Sequence, residues 1–229
     1  DSRKEYNVML MTWLPGVLLA ESINPENINK MGVVFAKLHN FSETYVPPDF
    51  FTKRKMNKVF TRNETNHLID RNIISLMNKE QKGLYNRIEH LVDQAYEKRY
   101  NDCEGLMVIN HDLHHENIMV DPSGKLRPFD FEDTCICYPV QDIAMAMKDL
   151  MQDTKREIFP VLLESFKEGY KSLRDWPEQY SGEMDLFMAG RMLWVSNWMA
   201  GNMRGKFPMV VEWTCKKFSD FLDSGLLRF

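Results

Sequence analysis

The strongest constraint on this chain is the stretch from Leu106 to Asp133, where apolar runs of strand length alternate with clusters of oxygen-bearing side chains. Leu106 to Ile109 is apolar and ends where polar residues crowd in. Asp112 follows, then Asn117 five positions on, which opens a second short apolar run, Ile118 to Val120. Asp121-Pro122-Ser123-Gly124 has the residue preferences of a type I turn, with Asp first, Pro second and Gly fourth. The return run, Leu126 to Phe129, leads into Asp130. The spacing predicts a loop, a hairpin and a loop. A hairpin sets Asn117 at its start beside Asp130 at its end.

Asp112, Asn117 and Asp130 gathered in this way suit phosphoryl transfer from a nucleotide. That chemistry needs hard oxygen ligands for Mg²⁺ and a carboxylate to orient the acceptor hydroxyl and receive its proton. Kinase catalytic loops space the carboxylate and a metal-binding Asn as D-x-x-x-x-N, and a following Asp-Phe supplies the other metal ligand. Asp112-Leu-His-His-Glu-Asn117 has that spacing, and Asp130-Phe131 stands where the second motif falls.

Three segments together carry a resemblance: Asn110-His111-Asp112-Leu113-His114-His115-Glu116-Asn117, Asp130-Phe131-Glu132-Asp133, and Tyr138-Pro139-Val140-Gln141-Asp142-Ile143-Ala144. They are similar to the signature of the aminoglycoside phosphotransferase and choline kinase-like enzymes, which reads roughly His-Gly-Asp-Leu-His-x-x-Asn, Asp-Phe-Glu/Asp-Asp and Gly-x-Pro-x-x-Asp-Leu-Ala. The resemblance implies that Asp112 is the catalytic base, that Asn117 and Asp130 hold Mg²⁺, and that Asp142 braces the catalytic loop through backbone hydrogen bonds. It also expects a histidine at His114. Two departures matter: Asn110 replaces the family's leading His, and His111 replaces the Gly before the catalytic Asp.

By the same resemblance, Tyr6 to Gly16 is the hinge between two lobes, with Val8 to Met11 a buried strand. Backbone groups of Thr12 and Leu14 would then pair with the adenine of ATP or GTP. The residues themselves equally fit a plain edge strand ended by Pro15-Gly16. No glycine-rich phosphate loop and no strand lysine paired to a helix glutamate occurs in the sequence. The expected organisation is therefore a hinge strand and linker over 1–16 and a helical C-terminal lobe over 17–229, with the catalytic segment at 106–133. The fold class is mainly α with a small β-hairpin, the C-terminal lobe of a protein kinase-like fold, with the N-terminal nucleotide lobe lying before residue 1; the alternative is a natural one-lobed relative.

Composition narrows the partners. With 229 residues, 44% of them hydrophobic, the chain can bury a full core. A net charge of −4 offers no electrostatic case for nucleic acid or an anionic membrane. No apolar run approaches the roughly 20 residues that span a bilayer. Cys103, Cys135, Cys137 and Cys215 contain no C-x-x-C pair and read as reduced thiols, which makes the cytoplasm the default compartment.

Helices dominate elsewhere. Asn24-Pro25 makes an N-cap and first-turn pair, and Ile28, Met31, Val34, Phe35 and Leu38 follow at helical spacing. The helix ends in Ala36-Lys37-Leu38-His39, and His39 reads as a structural hydrogen-bonder. The basic run Lys53-Arg54-Lys55-x-x-Lys58 reads as a solvated face. Further helices are expected over Glu64–Met77, over Lys79–Tyr100 capped by Asn78, over Pro139–Met151, and from an Asp153 cap to about Ser172 with Ile158, Val161, Leu162, Ser165 and Phe166 on its apolar face. Pro177–Asn202 and Pro208 to about Asp223 complete the set.

Acceptor specificity should reside in Glu132, Asp133 and the C-terminal helices, where Glu183, Asp185, Arg191, Trp194 and Trp198 are the candidates. Trp194 and Trp198 stand one helical turn apart and could wall a cationic acceptor, or simply pack. His111, His114 and His115 would share a face and could bind zinc if their stretch were helical, although it lies between strand-like runs. The resulting expectation is a Mg²⁺-dependent phosphotransferase moving the γ-phosphate of ATP or GTP to a small-molecule hydroxyl. A Ser/Thr protein kinase of the same fold and a kinase-fold scaffold without turnover are the alternatives, and Asn110 and His111 are the scaffold's only sequence support.

Overall fold

The computed structural model describes residues 12–49, 55–61, 65–102 and 105–227. Strand β1 (Val17–Leu18) leads to helix α1 (Pro25–Thr44), the single turn α2 (Arg71–Ile74) and α3 (Lys79–Asp102). The central segment holds β2 (Met107–Ile109), β3 (Ile118–Val120), β4 (Leu126–Pro128) and β5 (Cys135–Cys137). Four helices follow: α4 (Pro139–Asp153), α5 (Phe159–Lys171), α6 (Glu183–Asn202) and α7 (Phe207–Ser224). The architecture is mostly helical with two small antiparallel sheets, β1-β3-β4 and β2-β5. The strand expected over Val8 to Met11, Cys103 and the start of the basic run at Lys53-Arg54 fall outside the described residues.

Local chemistry sets most helix starts. Asn24 Oδ1 accepts the Asn27 N–H at 2.9 Å with Pro25 in the first turn, as the sequence predicts. At α3, Asn78 Oδ1 accepts the Gln81 N–H at 2.9 Å and Gln81 Oε1 accepts the Asn78 N–H at 2.8 Å, a reciprocal cap. Every residue from Tyr138 to Lys148 is buried, so α4 is the axis of the core. Among the described residues no helix is long and apolar enough to cross a membrane.

Three expected helices are corrected. Residues 65–77 form a 3₁₀ turn, His67–Ile69, and then α2, because Asn66 and Asp70 each cap a new start through the N–H two residues on. Asp153 ends α4 instead of capping α5; its carboxylate lies 3.1 Å from His115 Nε2, and α5 begins at Phe159 with Pro160 in its first turn. In α5, Leu162 and Phe166 are buried but Ile158 and Val161 are exposed. Helix α6 begins at Glu183, not Pro177, because Gly182 takes a left-handed φ of 86° and Glu178 Oε1 accepts the Met184 N–H at 3.0 Å.

Helices α1 and α5 cross through facing glycines: a Cβ on Gly32 would meet the Phe166 carbonyl, and one on Gly169 the Asn29 carbonyl. Backbone cannot yield as a side-chain tip can. Replacing Gly169 with Ala gains about 1 kcal/mol of helix propensity but overpacks a backbone contact, which costs about 1–3 kcal/mol. We expect net destabilisation, read as a lower midpoint in urea unfolding; an unchanged or higher midpoint would show that the crossing is looser.

Candidate active site

The hairpin forms as its spacing requires. Ile118 pairs with Pro128, and the Phe129 N–H donates to the Asn117 carbonyl at 3.0 Å, so Asn117 and Asp130 lie at the two sides of its base. Asp121 builds the turn: its Oδ1 accepts the Ser123 and Lys125 N–H groups at 2.8 and 3.0 Å, and Gly124 takes a φ of 77°. Strand β1 adds to the other edge of β3. Thr12, exposed, and Leu14, half-buried, lie in irregular chain leading to β1.

The segment before the hairpin is pinned by side chains. Asn117 Nδ2 donates to the Asp112 carbonyl at 2.9 Å, closing the five-residue loop. Asn110 Oδ1 accepts the Asp112 N–H at 3.0 Å while its Nδ2 donates to the Asp130 carbonyl at 3.2 Å, tying the loop to the hairpin's end. His111 adopts a left-handed φ of 71°, and Asp130 one of 61°. Asp tolerates that region. A His there is strained on the order of 1–3 kcal/mol, which gives a physical reason for the Gly of the signature at this position. Because the loop is not α-helical, His111, His114 and His115 do not share a helix face, and the zinc arrangement is not formed. Among the described residues no group of three or more His, Cys, Asp or Glu is placed to hold a metal.

What holds the loop against the core is Asp142 in the first turn of α4. Its Oδ1 accepts the His111 N–H at 2.7 Å and its Oδ2 lies 3.0 Å from His39 Nε2, whose Nδ1 is 2.9 Å from the Tyr170 hydroxyl. One buried carboxylate thus links the loop to α1 and α5.

On its other side, Asp112 meets α6. Arg191 Nη2 donates to Asp112 Oδ1 at 2.7 Å and reaches Asp149 Oδ2 at 3.5 Å. The guanidinium lies over the Trp194 ring, 4.7 Å from its centroid. Lys148 Nζ donates to Asp149 Oδ1 at 3.0 Å. Burial pushes the Asp112 carboxyl above its ordinary value; Arg191 and His114 pull it down, and nearby Asp133 pushes it up. Asp149 is also desolvated, but Lys148 and Arg191 outweigh burial and hold it below the usual range. His114 Nε2 stands 3.8 Å from Asp112 Oδ2, too far for a hydrogen bond.

The acceptor candidates divide. Arg191 and Trp194 are at Asp112, Asp133 is near enough to act on its charge, and Glu132 is exposed. Trp198 is exposed one turn further along α6. Glu183 and Asp185 are not brought to this place. They lie eight and six residues before Arg191, about 12 and 9 Å along the axis. Glu183 is buried against Arg99 Nε at 2.6 Å, and Asp185 Oδ1 accepts the Leu227 N–H at 2.9 Å. Sequence reasoning missed Lys148 and Asp149; the available signal was two charges inside the otherwise apolar run Ile143 to Met151 of a core-forming helix. Beside Lys148, α4, α6 and α7 enclose a cavity of about 490 Å³ lined chiefly by Met192, Val195, Met199 and Trp213.

A helical lobe with a hairpin-borne Asp-Asn-Asp cluster braced from the next helix is the architecture of kinase-like phosphotransferases. The chain belongs to that group: the model of the phosphotransferase enzyme family, APH, matches residues 1–178. Among solved structures, a microcompartment-associated aminopropanol kinase superposes with a TM-score of 0.69 at 19% identity over 90% of this chain. An amicoumacin kinase solved with AMP-PNP and Ca²⁺ gives 0.68 at 17% over 91%. A choline kinase from Cryptosporidium parvum gives 0.61 at 15%, covering 95% of this chain and 72% of that one. Such identities establish a shared fold. The chain spans 65% and 63% of the length of the first two. No curated protein matches it.

Proposed function

We propose that this chain forms the catalytic lobe of a phosphotransferase that moves the γ-phosphoryl group of ATP or GTP to a hydroxyl of a small molecule, together with a nucleotide-binding lobe preceding it. The observation that carries the reading is the convergence of Asp112, Asn117 and Asp130 on one loop and hairpin base. Asp112 orients the acceptor hydroxyl and takes its proton, with Oδ1 held by Arg191 and Oδ2 left for the substrate. Thr12 and Leu14 belong to the hinge and offer backbone groups to the base. The amide oxygen of Asn117 and the carboxylate of Asp130 are hard donors that would hold Mg²⁺. When bound, Mg²⁺ neutralises charge on the transferred phosphoryl group, while the chain's own contribution is positioning. The neighbours named as aminopropanol, amicoumacin and choline kinases support a small acceptor over a protein one; the cavity beside Lys148 is not lined by Asp112, Asn117 or Asp130 and carries no part of this reading.

The test is Mg²⁺-dependent transfer from ATP and GTP, using the whole gene product, to small hydroxyl compounds and to protein substrates. Transfer to a small compound supports the reading, and transfer only to protein replaces it with the protein-kinase alternative. No transfer together with no Mg²⁺·nucleotide binding leaves a scaffold. Asp130 is exposed, so Asp130→Asn should leave the fold intact. We expect it to weaken the apparent Mg²⁺ affinity by at least the roughly 10–100-fold that losing an outer-shell partner costs, read as a higher Mg²⁺ midpoint of the rate; an unchanged Mg²⁺ midpoint removes Asp130 from the metal's ligands.

A further inference from the structure

Arg191 lies 79 positions from Asp112 in sequence and touches it directly through a side chain that is 9% exposed. Its guanidinium joins two carboxylates and stacks on Trp194, while Asp149 is fixed in turn by Lys148, whose Nζ also donates to Gln152 at 2.7 Å. We propose that Arg191 is a positioning residue for phosphoryl transfer: it locks the Asp112 carboxylate with Oδ1 occupied and Oδ2 presented to the acceptor hydroxyl. This rests on Asp112 being the acceptor's base.

Without that contact the geometry of Asp112 would be only half specified. Its backbone is fixed by Asn110, Asn117 and the Asp142–His111 bond, but the terminal torsion of an aspartate is broad and nearly two-fold. Arginine suits the task because its delocalised, weakly hydrated cation can sit over the Trp194 ring while Nη2 alone reaches both carboxylates; a lysine ammonium could reach the carboxylates but is more strongly hydrated and less suited to the indole face. Asp142 and Asp149 are seven residues apart on α4, about 10 Å along its axis. One buried helix therefore sets both the loop's backbone and, through Arg191, its side chain. A cation beside a base also weakens it. In a loose phosphoryl-transfer transition state little proton removal is needed, so orientation outweighs that loss.

The experiment compares Arg191→Ala and Arg191→Lys with the unaltered full-length protein for kcat, KM of each substrate, melting temperature and the crystal structure around Asp112. We expect kcat of Arg191→Ala to fall about 10²-fold with the nucleotide KM within about twofold, and millimolar guanidinium, but not ammonium, to restore part of it. Arg191→Lys should recover only a fraction, and it carries the test if the alanine variant does not fold. A folded variant with kcat within about threefold of the parent, or a loss that guanidinium does not lift, overturns the proposal. So does a structure in which Asp112 keeps its place without Arg191, a readout that stands even if the parent transfers no phosphate, the result that would instead defeat the proposed function.

Discussion

Asp112→Asn is expected to remove about 10²–10⁴-fold of phosphoryl transfer, the range for loss of a positioned acid–base group, or about 3–5 kcal/mol of barrier. The substitution keeps shape and hydrogen-bonding reach toward Arg191, so the loss isolates the carboxylate's charge and basicity. Stability should move the other way. Burial raises the Asp112 carboxyl above its ordinary value, so the folded state holds its proton more tightly than the unfolded chain does. Stability therefore falls as pH rises through that interval. A neutral amide escapes the cost of burying charge, although it leaves Arg191 with Asp149 alone. A melting temperature near or above the parent's, Mg²⁺·nucleotide binding retained and transfer lost is the expected set. Transfer within tenfold of the parent would show that Asp112 is not the base.

Much of this arrangement could be read from local spacing, because hairpins and helix caps are short-range devices. Asp121-Pro122-Ser123-Gly124 dictates the turn, the turn dictates the register, and the register sets Asn117 beside Asp130. Asn24 and Asn78 announce α1 and α3 by the same logic. Where the reading failed, a side chain chose between two partners that sequence leaves equivalent. Asp153 looked like a helix cap and instead faces His115; Asn66 and Asp70 looked like residues within a helix and instead each begin a turn. Glu183, Asp185 and Arg191 share one helix and one candidate role in sequence. Only tertiary packing sends the first to Arg99, the second to Leu227 and the third to Asp112. Nothing in the spacing of α6 encodes that division, since the partners come from α3, the chain's last described residues and the loop that carries Asp112.

Glu183→Ala should be the most destabilising single change proposed. Glu183 is fully enclosed and accepts from Arg99 Nε and Nη2 at 2.6 and 2.5 Å and from the Gln179 N–H at 2.7 Å. Arg99 also donates to the Pro177 carbonyl at 2.8 Å and lies over the Tyr138 ring, so the pair fastens α3, the start of α6 and the residue before α4. Removing the acid strands a buried guanidinium, for which about 3–5 kcal/mol is expected, or roughly 6–20 °C in melting temperature for a domain of this size. Removing both charges should cost far less: Arg99→Met with Glu183→Leu replaces a desolvated pair by apolar volume, often close to neutral. The double variant should therefore be more stable than Glu183→Ala, and with Arg99→Met and Glu183→Leu measured singly the coupling of the pair is readable as a mutant cycle in urea. Because Glu183 sits about 12 Å along α6 from Arg191, turnover per folded molecule should be unchanged in both variants. If Glu183→Ala unfolded within about 1 kcal/mol of the parent, as exposed ion pairs do, water would have to reach Arg99, and the join between α3 and α6 would not depend on this pair.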